Sequence, residues 1–209
     1  MELLDYISFD CEIHHEKMTN EQSLEFILNI ESKILNENLD IYQKNLFLAI
    51  KDIAYCNLEL ISKILELENI PENIFNTIIN INNKINKDFM LQFLTFPNIS
   101  SSNLTRFINL ENDDIKIKIA VRHDLTKEVI DMLLKSTNVK VKSNLASNIS
   151  IDFNEISFLV YDASPNVRLN LLHNKNCTKE ICEILKDDKI STIVDASVSR
   201  LAKFKTNNE

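Results

Sequence analysis

The chain has 209 residues, enough to bury a continuous core, and its 44% hydrophobic and 26% charged residues are those of a folded protein. It contains no glycine, where average usage would supply roughly 15. That excludes a Walker A loop, a dinucleotide-binding GxGxxG turn and a GxSxG nucleophile elbow, while a formal net charge of −8 disfavours nonspecific binding to nucleic acid or an anionic membrane.

The charge is unevenly spread. Residues 1–88 hold 16 acidic and 7 basic side chains, a net of −9, and residues 89–209 hold 15 and 16, a net of +1. The four cysteines, at 11, 56, 177 and 182, show no spacing that suggests a disulfide framework. The start, Met1-Glu2-Leu3-Leu4-Asp5, has an acidic rather than a basic n-region, so no signal peptide is read there. Apolar runs such as Phe158–Tyr161 fall far short of the ~20 residues of a membrane span. A cytoplasmic location without membrane attachment is expected.

In chain order, residues 1–57 predict a helical N-terminal capping region. Thr19-Asn-Glu-Gln leads with cap residues and is followed by apolar positions 24, 27, 28 and 30, and a second helix is predicted from Ile41 to Tyr55. From there the chain repeats itself. Ile70-Pro-Glu-Asn-Ile-Phe, Leu125-Thr-Lys-Glu-Val-Ile and Cys177-Thr-Lys-Glu-Ile-Cys align without a gap, and looser copies begin at Ile99 and Ile151. The predicted helix-starting residues Pro71, Ser100, Thr126, Asp152 and Thr178 are spaced by 29, 26, 26 and 26. An apolar residue stands before each of them as a hydrophobic staple, and each copy is predicted to be a helix of two to three turns. A second helix precedes each later copy, at Ile115–Ala120, Val141–Ala146 and Val167–Leu172, again 26 apart, and Asn69, Asn98, Asp124 and Asn176 mark the turns. One such pair cannot bury its apolar face alone, and stacking on neighbours solves that. The predicted fold is therefore all-α: a right-handed α-solenoid of helix–turn–helix repeats of about 26 residues. Five repeats would cover 58–188, with a C-terminal capping helix and frayed tail over 189–209.

Asn166-Val-Arg-Leu-Asn-Leu-Leu-His-Asn174 and Leu125-Thr-Lys-Glu-Val-Ile-Asp-Met-Leu resemble the leucine-rich repeat variant family, a relative of the HEAT-like α-solenoids. The resemblance covers roughly residues 60–190 and implies architecture rather than activity, since repeat folds serve many partners. Some members carry an iron–sulfur cluster on clustered cysteines ahead of the repeats. Cys11 and Cys56 have no clustered companions, so no cofactor is expected here.

Candidate residues carry competing readings. Lys116, Lys142 and Arg168 place one cation at the same position of three repeats. They are read either as a row gripping an acidic partner or as inter-repeat ion pairs with carboxylates of the preceding loop, such as Asp113, Asp162 or Asp187, and the second reading is favoured. Lys127, Asp131, Lys135, Lys179, Glu183 and Lys186 give the repeat helices a mixed polar surface that a partner could use. Cys177 and Cys182 fill slots held elsewhere by leucine, isoleucine or phenylalanine, which points to packing. Cys11, His14 and His15, at i, i+3 and i+4, are a weak metal-site candidate without a fourth ligand, and no metal is expected. His123 and His173 share no repeat slot and support no catalytic triad.

The leading functional expectation is a non-catalytic scaffold that binds another protein. The alternative is a small acidic inhibitor or immunity protein neutralising a basic toxin or nuclease through residues 1–88, whose charge would steer a cationic partner. HEAT-like solenoids that remove alkylated DNA bases need a basic channel with stacking aromatics. A net acidic chain without tryptophan argues against nucleic-acid binding and against that enzyme activity.

Overall fold

The computed structural model describes residues 17–35, 39–85 and 91–206. They are helical throughout, with no strand among the described residues. They divide into two compact units, an N-terminal one ending at Asn103 and a C-terminal one beginning at Leu104.

In the N-terminal unit, α1 (Asn20–Ile34) starts at a capping box: the Thr19 hydroxyl accepts from the Gln22 N–H and the Gln22 side chain accepts from the Thr19 N–H. Asp40 and Gln43 form a second box at the head of α2 (Ile41–Cys56). Asn57 caps α3 (Leu58–Leu65) through the Leu60 N–H, and α4 (Glu72–Ile85) starts just after Pro71. Apolar pairs one turn apart decide which faces go inward: Phe26, Ile27 and Ile30 on α1, Leu60, Ile61, Ile64 and Leu65 on α3, and Ile74, Phe75, Ile78 and Ile79 on α4 are all buried. α1 packs on α2 and α3, and α2 packs on α3 and α4. The fully buried Tyr55 donates its hydroxyl to the Glu31 carboxylate at 3.0 Å, and Lys51 meets the same carboxylate at 2.9 Å. Burial and the Glu31 charge push the Tyr55 phenol far above its ordinary pKa. Without glycine, a left-handed turn falls to another residue. Asn98, two residues before Ser100, takes φ 65°, a conformation asparagine tolerates better than most. α5 (Ser101–Ile108) follows, and the boundary between the units falls within it.

The C-terminal unit comprises α6 (Asp113–Ala120), α7 (Lys127–Leu134), α8 (Val139–Ser147), α9 (Phe153–Ile156) running into a 3-10 turn (Ser157–Tyr161), α10 (Pro165–His173), α11 (Lys179–Leu185) and α12 (Ser191–Thr206). α6 packs on α8, α8 on α10 and α10 on α12, with α7 against α6 and α8, and α11 against α10 and α12. The buried positions hold register: Ile115, Ile119 and Ala120 recur as Val141, Leu145 and Ala146 and again as Val167, Leu171 and Leu172. Val129, Ile130 and Leu133 on α7 correspond to Ile181, Cys182 and Leu185 on α11.

Two local expectations need correction. The copy starting at Asp152 is not a helix of two to three turns but one α-turn followed by a 3-10 turn. Its buried residues are Phe153, Ile156, Leu159 and Val160, and the chain winds more tightly after Ile156. As at Thr126, the Thr178 hydroxyl makes no capping bond to the helix backbone. It bonds the Glu180 carboxylate instead, and that carboxylate, also held by its own backbone N–H, is kept below the usual range.

A feature that the repeat pattern did not announce ties the C-terminal unit together. The Asn148 amide donates to the carbonyls of Ala120 (3.1 Å) and Arg122 (2.6 Å). The Asn174 amide, 26 residues on, donates to those of Ala146 (2.9 Å) and Asn148 (3.3 Å). Arg200, another 26 on, reaches Leu172 O with Nη1 at 2.7 Å and Lys175 O with Nη2 at 2.9 Å. Ala120, Ala146 and Leu172 lie in the last turns of α6, α8 and α10, whose carbonyls have no partner within their own helix. Each helix end is thus satisfied by a side chain from the next repeat. Asn148 and Asn174 are buried, and their oxygens accept the N–H of Ser150 and Asn176, two residues on, closing an Asx turn.

Candidate functional site

The cation row lies on α6, α8 and α10. Lys142 Nζ meets Asp162 at 2.9 Å. Arg168 forms a fork on Asp188, Nε at 2.7 Å and Nη2 at 3.0 Å, while its Nη1 reaches the Asp162 carbonyl at 2.7 Å. Both carboxylates follow their cation in the chain by 20 residues, so the acids come from the loop before the next helix in the series α6, α8, α10, α12 rather than the loop before the cation's own helix, and Arg168 takes Asp188 rather than Asp187. The Arg168 guanidinium holds the Asp188 carboxyl below its ordinary pKa, and the Arg168 pKa is raised in return. Ser136 stands in the slot of Asp162 and Asp188. Lys116 therefore has no acid at the equivalent position, and it lies half-buried. The six polar side chains on α7 and α11 are disposed differently: Lys127, Asp131, Lys135, Lys179, Glu183 and Lys186 are all exposed, with Lys186 paired to Glu183 at 2.8 Å.

The Lys142–Asp162 pair sits in a groove of about 450 Å³ that the sequence pattern did not single out. Leu134, Val139, Phe158 and Tyr161 flank it. The two rings stand in solvent, Tyr161 76% exposed and Phe158 54%. The 3-10 turn takes Leu159 and Val160 inward and leaves Phe158 and the terminal Tyr161 outside. Exposed aromatics beside a neutralised ion pair are the side chains that carry protein–protein interfaces, because they bury much area at little entropic cost. The signal was present in the sequence as the aromatic-bounded run Phe158–Tyr161, but its period could not be told from a helix.

Other candidates resolve locally. Cys177 and Cys182 are buried with their Sγ atoms 3.9 Å apart, and burial pushes the Cys177 thiol up to about 12. Such thiols pack as apolar groups and are poor nucleophiles. His123 Nδ1 lies 2.9 Å from the Ser150 hydroxyl, a contact with no signature in the sequence. Both residues are exposed, and the nearby Asp124 is bound to Arg122 instead. Cys11, His14 and His15 lie outside the described residues, and among those described no three metal-binding side chains cluster. No described helix is long and apolar enough to cross a membrane. Comparison with known protein families, with curated proteins and with solved structures found no match to this chain.

Proposed function

We propose that this chain is a non-catalytic, cytoplasmic protein–protein interaction scaffold, built as a right-handed α-solenoid of about 26-residue repeats akin to the leucine-rich repeat variant and HEAT-like kinds. The observation that carries the reading is the groove bearing exposed Phe158 and Tyr161 around the Lys142–Asp162 pair. The packing of α6 on α8, α8 on α10 and α10 on α12 supports the architecture. Stacked repeats leave extended surfaces for recognition. The test is photo-crosslinking from a probe residue placed at Thr137, in wild type and in a Phe158→Ser/Tyr161→Ser variant. One protein crosslinked by the first and lost in the second, at unchanged melting temperature, is the expected result; identical products from both would remove the groove from the proposal.

A second reading, the acidic inhibitor of a basic protein, is favoured by one observation. The charge divides where the structure divides: residues up to Asn103 sum to −9 and residues from Leu104 to +1. A partner steered by that field would associate at a rate that falls steeply with ionic strength. A salt-independent association rate would leave the scaffold reading alone.

A further inference from the structure

At the end of the C-terminal unit, α10, the turn after it and α12 enclose a concavity of about 510 Å³ lined by His173, Lys175, Ser199, Arg200, Lys203 and Phe204, with Ala196 at its wall. Its size is that of small-molecule sites. Its chemistry runs against the rest of an acidic chain: among the described residues that line it, four side chains are basic and none is acidic. Lysine and arginine are donors without acceptors, and the serine hydroxyl can donate as well, so the walls call for a ligand made of acceptors.

Arg200 makes this more than a chance patch of lysines. Its guanidinium is clamped by the carbonyls of Leu172 and Lys175, so it is fixed before any ligand arrives, and it lies over the Phe204 ring at 5.9 Å. Those partners are neutral. Among the described residues no carboxylate meets Arg200, and its Nε–H is buried without an acceptor. Elsewhere in the unit the comparable guanidinium, Arg168, is neutralised by Asp188. The repeat register sharpens the contrast: the slots before Arg200 hold Asn174 and Asn148, which bind Ala146 O and Ala120 O, the equivalents of Leu172 O, with no charge. Joining the repeats requires only an amide. The guanidinium adds a fixed positive charge where the last repeat opens to solvent.

We propose that this concavity is a binding site for a phosphate monoester group. A phosphate monoester carries close to two negative charges near neutral pH and three acceptor oxygens, matching several convergent cations and the serine donor better than a single carboxylate does. Exposed Lys175 supplies mobile charge and Lys203 adds to the positive field, while Arg200 supplies the fixed charge and Phe204 an apolar surface for the organic part of the ligand. The site uses α10 and α12, not the groove at Phe158 and Tyr161, and is independent of the scaffold reading.

The test is isothermal titration of the full chain with phenyl phosphate, inorganic phosphate, sulfate and a phosphoserine peptide at constant ionic strength, repeated with Lys175→Glu/Lys203→Glu and with Ser199→Asp. The expected result is saturable binding of phenyl phosphate at least tenfold tighter than sulfate, weakened tenfold or more in both variants at unchanged melting temperature. Tighter binding of phenyl phosphate than of the peptide identifies the source as a free small molecule, and the reverse order identifies a phosphorylated side chain; either order upholds the phosphate site. No saturable binding at millimolar phenyl phosphate, equal affinity for sulfate, or unaltered affinity in the folded variants overturns it.

Discussion

The two units of this chain solve the same problem, satisfying short helices at their ends and on their sides, in different ways. The N-terminal unit relies on two capping boxes and the Tyr55–Glu31–Lys51 cluster, and among its described residues it holds a single amide-to-helix-end contact, Asn103 on Leu65 O at 2.9 Å and Leu67 O at 2.8 Å. The C-terminal unit uses one device repeatedly, a side chain at 148, 174 and 200 bound to the last turn of the preceding repeat's first helix. Periodicity therefore appears wherever a hydrogen-bond requirement recurs with the same geometry, and it lapses where the helices differ in length and pairing. The contrast also explains where charge could change freely. In the C-terminal unit the joining contacts are largely amide to carbonyl, so charge is left for the surface and for the basic end.

The comparison can be broken or sharpened by mutation. Phe26→Ala, in the N-terminal core, should cost the most, about 3–5 kcal/mol in denaturant unfolding, because it removes a fully buried ring from a unit without a repeated network. Asn148→Ala and Asn174→Ala should each cost roughly 2–4 kcal/mol, since either strands two buried carbonyls. The two values should agree within about 0.5 kcal/mol if the slots are equivalent. A large disparity would show that the register is geometric but not energetic.

Arg168→Met should cost roughly 1.5–3 kcal/mol at neutral pH, as expected for a partly buried, charge-assisted fork. The pH dependence has a definite sign. Asp188 has its folded pKa depressed by Arg168, so its contribution is fully present above the unfolded carboxylate value near ~4 and is lost as pH falls through the lower folded value. Melting curves of wild type and the variant should therefore converge in strong acid, and a constant gap would contradict the assignment. The smallest effects separate the two kinds of helix start. Thr19→Ala, which breaks a capping box, should cost about 1 kcal/mol. Thr178→Ala should cost only a few tenths, because that hydroxyl bonds a solvent-exposed carboxylate and not the helix backbone. In native-state thiol labelling, Cys177 and Cys182 should react only on unfolding, well after the half-buried Cys56.

Much of the helical layout was legible. All five predicted starts immediately precede a helix, and Ile41–Tyr55 matches α2 to within a residue. Those signals are local: a cap, a staple and apolar pairs one turn apart act over six to eight neighbouring residues. The candidate surface was harder to read. The Phe158–Tyr161 segment has the apolar content of a helix, and only the tertiary structure shows a 3-10 turn with Leu159 and Val160 buried and the two rings outside. The cation row was visible at Lys116, Lys142 and Arg168, but whether the acids come from the loop before the cation's own helix or before the next one in the series depends on which way each long side chain leans.

What the sequence by itself determined is helix, turn and period, because these depend on backbone conformation and on neighbours within about two turns of chain. The roles of Asn148, Asn174 and Arg200 belong to the tertiary structure. Their 26-residue spacing is present in the sequence. That spacing has meaning only once Ala120, Ala146 and Leu172, each 28 positions earlier in the chain, are brought within 3.1 Å of them. An unsatisfied carbonyl at a helix end is a property of the helix, but the group that satisfies it is chosen by packing.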